Sequence, residues 1–167
     1  GRGSRFTVSL PLTESGTGAP AQPGQARAGG AEPAGMPDGN EDRLIMLVED
    51  DAVIRMALAL MLEEWGFRVA EAGSGTEADG LLDELIGSGH IPDVILADYR
   101  LPEGTTGLMV MDMVRRRLSR DVPGVLLTGD TSADRLREAA GAQCALLHKP
   151  IQPNRLRDTL TAMLHQS

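Results

Sequence analysis

The chain has 167 residues and a mass of 17.7 kDa, which suits one ordinary domain. A net charge of −8 argues against binding to a phosphate backbone, and an aromatic content of 2% argues against base stacking on single-stranded nucleic acid. The single cysteine, Cys144, excludes an internal disulfide framework, and no apolar run is long enough to span a membrane. We therefore expect a cytoplasmic segment that contacts neither nucleic acid nor membrane.

Two segments outside the compact domain are predicted at the start of the chain. Residues 6–10 alternate apolar Phe, Val and Leu with Thr and Ser, which predicts a half-buried strand or, alternatively, a disordered arm. Residues 13–40 hold seven Gly, four Pro and six Ala, with Met36 as their one large apolar residue. Such a composition cannot bury enough surface to offset its ordering entropy, so residues 13–42 are predicted to form a flexible linker.

From residue 43 onward, short apolar runs alternate with longer amphipathic stretches. The runs predict strands at 44–48, 67–70, 94–97, 125–128 and 145–147. The stretches predict helices at about 52–65, 75–87, 106–119, 132–141 and 153–165. The runs rich in Val, Ile and Leu lack polar alternation, as expected of strands buried on both faces of a parallel sheet. The alternation predicts a doubly wound α/β domain, in which ligands bind at the carboxyl ends of the strands.

Carboxylates follow the first and third predicted strands. Glu49, Asp50 and Asp51 are consecutive, and a hard cation such as Mg²⁺ would relieve their mutual repulsion. The alternative is that Asp50 or Asp51 caps the helix that begins at residue 52. Asp98 follows the third strand at the same predicted edge, where a carboxylate beside a cation can attack phosphorus. The alternative for Asp98 is a solvated loop residue.

A hydroxyl and an ammonium follow the last two predicted strands. Thr128 ends the fourth strand before Gly129, and this hydroxyl can donate to a phosphoryl oxygen, although Thr is common at strand ends. Lys149 follows the fifth strand and is the only lysine among sixteen basic residues. A compact ammonium suits a point contact with a phosphoryl group. The alternative is an ordinary surface lysine.

In combination, these residues resemble the receiver domain of two-component response regulators over about residues 43–167. The motifs that carry the resemblance are Val48-Glu-Asp-Asp51, Ile95-Leu-Ala-Asp98 with Pro102 four residues later, Leu127-Thr-Gly129 and Lys149-Pro150. The resemblance implies a flavodoxin-like sheet of five parallel strands in the order 2-1-3-4-5, with helices on both faces.

The resemblance also implies roles for the metal-binding side of the site. Asp98 matches the phosphoacceptor, and Glu49 and Asp50 match the acidic pair that holds Mg²⁺. The backbone carbonyl of Arg100 matches the third protein ligand of the metal. Residues 1–12 resemble the last strand of a histidine-kinase ATP-binding domain. Together these matches imply the end of a hybrid sensor histidine kinase: domain fragment 1–12, linker 13–42 and receiver 43–167.

Thr128 matches the hydroxyl that follows the phosphoryl group, and Lys149 matches the lysine that pairs with it. The implied chemistry is phosphoryl transfer from a phosphohistidine, followed by hydrolysis or relay. The implied partner is a histidine kinase or a histidine phosphotransfer protein, with the oligomeric state open. The chain is expected to be a phospho-accepting module, and whether it counts as an enzyme stays open. Leu146 departs from the family, which usually has Tyr or Phe three residues before the lysine.

Two other functions compete with this interpretation. A degenerate receiver can act as a protein docking module alone. A Mg²⁺-dependent phosphatase of the haloacid dehalogenase type needs two aspartates separated by one residue, whereas this chain has Glu49-Asp50-Asp51. Arg100 and Asp130, two residues past Asp98 and Thr128, are both expected to overhang the site, where their opposite charges can pair across its mouth. The alternative is two solvated side chains that contribute little.

Overall fold

The computed structural model describes residue 40, residues 42–129 and residues 144–165. The strands in these ranges are β1 (Leu44–Val48), β2 (Arg68–Ala72), β3 (Val94–Asp98), β4 (Gly124–Thr128) and β5 (Cys144–His148). The α-helices are α1 (Ala52–Glu64), α2 (Gly75–Gly87), α3 (Gly107–Leu118) and α4 (Pro153–Leu164). The predicted segment 1–12, nearly all of the predicted linker and the predicted helix at 132–141 lie outside the described residues.

All five strands pair in parallel in the order β2-β1-β3-β4-β5, which confirms the predicted doubly wound sheet. Most predicted bounds agree with the structure within one residue. The exception is β2, predicted at 67–70 and observed at Arg68–Ala72. This strand lies at the sheet edge and is partly exposed, so its polar residues Arg68 and Glu71 interrupt the apolar run that the prediction followed.

Both faces of the sheet are covered by helices. Alternate residues of β1 point to opposite sides, so Ile45 and Leu47 join one core cluster, and Met46 and Val48 join the other. The first cluster includes residues of α1 and α4, and the second includes residues of α2 and α3. The largest fully buried side chains are Leu, Ile and Met, as the low aromatic content predicts. No helix within the described ranges is both long enough and apolar enough to cross a membrane.

Side-chain caps start three helices directly after short loops at the carboxyl edge of the sheet. Asp51 Oδ1 accepts from the backbone N–H groups of Val53 at 2.9 Å and Ile54 at 3.1 Å. Ser74 and Thr106 cap α2 and α3 in the same way. Such caps satisfy N–H groups that the first turn of a helix leaves unpaired. The caps fix where each helix begins. The residues between the end of each strand and its cap are therefore not part of a helix and lie at the carboxyl edge of the sheet.

Candidate functional site

Three carboxylates converge at the carboxyl edge of the sheet, beside the point where the strand order reverses between β1 and β3. Glu49 and Asp50 follow β1, and Asp98 ends β3. One carboxylate oxygen from each lies within 4.8 Å of the others. Glu49 is 1% exposed and Asp98 is 8% exposed, whereas Asp50 is open to solvent. The helix-capping alternative holds for Asp51, so capping and the acidic cluster use different residues.

Lys149 lies between two of these carboxylates. Its Nζ donates to Glu49 Oε2 at 2.8 Å and to Glu49 Oε1 at 3.1 Å, and lies 3.0 Å from Asp98 Oδ1. The backbone N–H of Lys149 donates to the carbonyl of Thr128 at 2.8 Å, which extends the pairing of β5 with β4 by one residue. This bond holds the start of the lysine side chain at the sheet edge. The structure therefore brings Lys149 to Asp98, as the order of the strand ends predicted.

Burial and mutual repulsion set the charge state of the cluster. Burial raises the pKa of Asp98, and the nearby Asp50 adds to that rise, while Lys149 partly offsets it. Burial likewise raises the pKa of Glu49, and its hydrogen bonds from Lys149 act in the opposite direction. Burial alone would lower the pKa of Lys149, but the hydrogen bonds to Glu49 and Asp98 outweigh it and leave that pKa raised. The single ammonium of Lys149 thus pairs with two carboxylates, those of Glu49 and Asp98. When both carboxylates are ionised, the site therefore carries excess negative charge.

A cavity of about 450 Å³ opens in front of Asp98. Its walls include Tyr99, Arg100, Thr128, Gly129 and Lys149. Thr128 is 2% exposed and sits one residue beyond Leu127, the β4 partner of Asp98. Apart from the chain neighbours of Gly129, no atom of the residues that the structure describes lies within 4 Å of where a Cβ would stand on it, so those residues leave space in front of its backbone. The cavity can admit a phosphoryl group to the Asp98 carboxylate.

Arg100 contributes through its backbone as well as lining the cavity. Its N–H donates to the Asp98 carboxylate, which favours the charged form and slightly offsets the rise in the pKa of Asp98 that burial causes. The metal-ligand role of the Arg100 carbonyl stays a prediction. The predicted pair of Arg100 with Asp130 also stays a prediction, because Asp130 lies outside the described residues. Leu146 lies in β5, partly buried against the core cluster on the α2 and α3 side.

Sequence reasoning missed two residues that shape the site. Arg55 of α1 donates from Nη1 to the backbone carbonyl of Glu49 at 2.6 Å. Gly107 opens α3, and a Cβ there would lie 2.5 Å from the carbonyl oxygen of Asp98. The available signals were an arginine six residues after Glu49 and a glycine near the start of a predicted helix. Neither signal is specific, because both contacts depend on how the loops fold back over the sheet edge.

The donor set fits a hard divalent cation. Three carboxylates supply oxygen ligands of the kind that Mg²⁺ prefers, and their oxygens are close enough to share one ion. Both Glu49 oxygens are engaged by Lys149, so Asp50 and Asp98 are the more available ligands. The arrangement places a carboxylate (Asp98), an ammonium (Lys149) and a candidate metal site around one cavity. Such a combination is suited to phosphoryl transfer.

Comparison with known proteins agrees with this geometry. The model of the response regulator receiver domain family matches residues 45–161. The phosphate regulon transcriptional regulatory protein PhoB of Escherichia coli is 32% identical over 74% of this chain and 52% of its own length. The sensor kinase CckA of Brucella abortus is 28% identical, with 99% of this chain and 17% of its own length covered. The chain thus spans about half the length of PhoB.

A solved structure supports the same assignment. The chemotaxis protein CheY4 of Vibrio cholerae superposes with a TM-score of 0.63 at 27% identity, covering 73% of this chain and 98% of its own. This likeness and the family match confirm the receiver interpretation, and they do not favour the phosphatase or the docking module. The chain belongs to the response regulator receiver domain family and is a receiver of two-component systems.

Proposed function

We propose that this receiver accepts a phosphoryl group on Asp98 from a phosphohistidine. The observation that carries the proposal is the contact of Asp98 Oδ1 with Lys149 Nζ at 3.0 Å, beside an acidic cluster and a cavity. An oxygen of Asp98 attacks phosphorus while the P–N bond of the donor breaks. The bonding electron pair remains on the imidazole nitrogen. Water later attacks phosphorus, the P–O bond to Asp98 breaks with its electron pair returning to the carboxylate, and phosphate is released. Alternatively, the phosphoryl group passes to a second histidine.

Each neighbouring side chain has a task in this reaction. Lys149 pairs with the phosphoryl oxygens as charge accumulates on them, and the Thr128 hydroxyl donates a hydrogen bond to one of them. Glu49 keeps Lys149 at the cavity through its two hydrogen bonds. Asp50, Asp98, the Arg100 carbonyl and Glu49 are the groups that would hold Mg²⁺. When bound, the ion would neutralise negative charge on the carboxylates and the phosphoryl group.

We further propose the domain context and the partner. Residues 43–167 form the receiver, 13–42 a linker and 1–12 the end of a kinase ATP-binding domain in a hybrid sensor histidine kinase. The similarity to the sensor kinase CckA, which extends over 99% of this chain, supports that context. The phosphoryl donor is then a histidine kinase or a histidine phosphotransfer protein. The expected location of this segment is the cytoplasm.

Intact mass spectrometry after incubation with acetyl phosphate and Mg²⁺ tests the proposal. The wild-type chain should gain the mass of one phosphoryl group, and hydroxylamine should remove it because the bond is an acyl phosphate. Asp98→Asn should gain nothing. Asp112→Asn is the matched control, because Asp112 is an exposed carboxylate on α3 that pairs with Arg116. Addition to Asp98→Asn at the wild-type level would refute the assignment of Asp98.

A further inference from the structure

Arg55 links α1 to the loop that carries the acidic pair. It lies in the first turns of α1, and its side chain is 24% exposed. Its Nη1 donates to the backbone carbonyl of Glu49 at 2.6 Å. This carbonyl belongs to the peptide group that joins Glu49 to Asp50. Arg55 therefore contacts the backbone between two candidate metal ligands.

The guanidinium of Arg55 lies beside the end of β2 and the loop that follows it. Arg55 Nε lies 3.7 Å from Glu71 Oε2 on β2. A Cβ on Gly73 would lie 3.0 Å from Arg55 Nη1, so the bare glycine backbone leaves room for the guanidinium. Gly73 is itself fixed, because its N–H donates to Glu77 Oε2 at 2.7 Å. The guanidinium thus lies between the loop after β1 and the end of β2.

The peptide group that Arg55 contacts decides where two carboxylates point. The Glu49 side chain turns into the protein toward Lys149, while Asp50 remains exposed with an oxygen within 4.8 Å of the other two carboxylates. The N–H of Glu49 is held by the carbonyl of Ala72 at 3.1 Å, and Arg55 holds its carbonyl. Rotation of the peptide group after Glu49 would move Asp50 relative to Glu49 and Asp98.

We propose that Arg55 is a positioning residue for divalent metal binding at the Glu49, Asp50 and Asp98 cluster. This inference deepens the proposed function and rests on it. Groups that orient metal ligands typically change metal affinity by about 10- to 100-fold when removed. The positive charge of Arg55 has the opposite effect on metal affinity, because a nearby cation repels a metal ion and weakens its binding. Positioning and charge therefore predict opposite effects of removing the side chain.

Isothermal titration of the full-length, metal-free chain with Mg²⁺ separates these effects. Arg55→Ala should raise the dissociation constant about tenfold, because the peptide group loses its hydrogen bond. Arg55→Lys keeps the charge and one possible donor, so it should recover part of the affinity. Arg68→Ala is the charge control, because Arg68 is an exposed arginine at the start of β2. It should leave the dissociation constant within about twofold of wild type, since a solvent-exposed charge is strongly screened.

Phosphorylation by acetyl phosphate gives a second readout. In Arg55→Ala, the Mg²⁺ concentration for half-maximal rate should rise in step with the dissociation constant, while the rate at saturating Mg²⁺ stays within about twofold of wild type. A general disturbance of the fold would lower the saturating rate as well. Thermal unfolding of each variant shows whether it is folded at the assay temperature.

The results separate the role of Arg55 from the proposed function of the receiver. Unchanged or tighter Mg²⁺ binding by folded Arg55→Ala would overturn the inference and leave the proposed function standing. If Arg55→Ala does not fold, Arg55→Lys and Glu71→Gln replace it, and wild-type affinity in both would overturn the inference. Failure of the wild-type chain to bind Mg²⁺ or accept a phosphoryl group would overturn the proposed function itself.

Discussion

Lys149 and Glu49, which are 100 residues apart in the sequence, form an ion pair in which Nζ contacts both carboxylate oxygens, at 2.8 and 3.1 Å. Glu49 follows β1 and Lys149 follows β5, which are separated in the sheet by β3 and β4. The contact is therefore made above the sheet edge, next to Asp98. Because Glu49 is 1% exposed, its carboxylate depends on Lys149 for compensation of its charge.

Replacing Lys149 with Ala should destabilise the metal-free protein and make its stability depend on Mg²⁺. Removing one partner of a buried ion pair costs about 3–5 kcal/mol, and we expect about 1–3 kcal/mol here because the Lys149 side chain is 23% exposed. Mg²⁺ can replace the lost positive charge, so it should recover more stability in the variant than in wild type. Urea unfolding with EDTA and with Mg²⁺ measures both quantities.

The control for this change is Arg116→Ala. Arg116 forms an ion pair with Asp112 on the exposed face of α3. Exposed pairs contribute about 0–1 kcal/mol, so the loss should be small and the same with and without Mg²⁺. Equal losses in the two variants would mean that Lys149 does not compensate a buried charge.

Asp98→Asn should stabilise the metal-free fold at neutral pH. Burial holds the pKa of Asp98 above its ordinary value of 3.8, so the folded state disfavours the charged form. The charged Asp98 therefore lowers the free energy of unfolding. This loss of stability is fully present above the raised pKa of Asp98 in the folded state and disappears below its pKa in the unfolded chain. The advantage of Asn should therefore be greatest near pH 7 and shrink as the pH falls toward 4.

Thermal unfolding in EDTA between pH 7 and pH 4.5 measures this trend. The comparison variant is Asp112→Asn, because Asp112 is an exposed carboxylate paired with Arg116. It should show little difference from wild type, and no gain at neutral pH. An advantage of Asp98→Asn that grows as the pH falls would contradict the raised pKa.

The sequence predicted features that depend on local pattern, and it missed those that depend on the path of loops. The bounds of β1 came directly from its unbroken apolar run, because both faces of that strand are buried. The approach of Lys149 to Asp98 followed from strand order, since carboxyl ends of parallel strands share an edge. The contact of Arg55 with the Glu49 carbonyl depends on a side-chain conformation that no periodicity encodes.

Close backbone packing was also invisible in the sequence. Gly107 was predicted only as part of a helix at 106–119, whereas the structure places it against the Asp98 carbonyl and the side chains of Leu126 and Ala97. The need for glycine there comes from the approach of α3 to two strands. That approach is a property of the assembled layers, so a helical pattern alone cannot reveal it.

Gly107→Ala should destabilise the fold and slow phosphorylation. The added Cβ would lie 2.5 Å from the Asp98 carbonyl oxygen and 2.8 Å from Leu126 Cδ1, so α3 or the end of β3 must shift. Overpacking of this kind costs about 1–3 kcal/mol. A shift of β3 would also move the Asp98 carboxylate away from Lys149. Urea unfolding and the initial rate with acetyl phosphate measure the two effects.

Gly80→Ala is the matched control for Gly107→Ala. Gly80 lies inside α2, and beyond its own helical turn no residue in the described part of the chain comes within 4 Å of the position of an added Cβ. Alanine in an open helical position stabilises by up to about 1 kcal/mol relative to glycine, so this variant should be at least as stable as wild type. Wild-type stability and rate in Gly107→Ala would show that α3 has room to move without disturbing Asp98.

Thr128→Val should slow phosphorylation while preserving the fold. Thr128 ends β4, is 2% exposed and lines the cavity in front of Asp98, so valine fills the same volume without the hydroxyl. Loss of a hydrogen-bond donor to a developing negative charge slows related reactions by about 100-fold, and we expect at least about tenfold for this single hydroxyl. Thr128→Ser retains the hydroxyl and should stay close to the wild-type rate.

The initial rate of phosphoryl addition, followed by intact mass with acetyl phosphate at saturating Mg²⁺, distinguishes these two variants. Removal of a buried hydroxyl also costs about 1 kcal/mol of stability, so the assay is run well below the melting temperature of each variant. If the valine variant reacts as fast as the serine variant, the hydroxyl of Thr128 makes no contact with the transferring group. Thr128 would then shape the cavity through its methyl group and its backbone bond to Lys149.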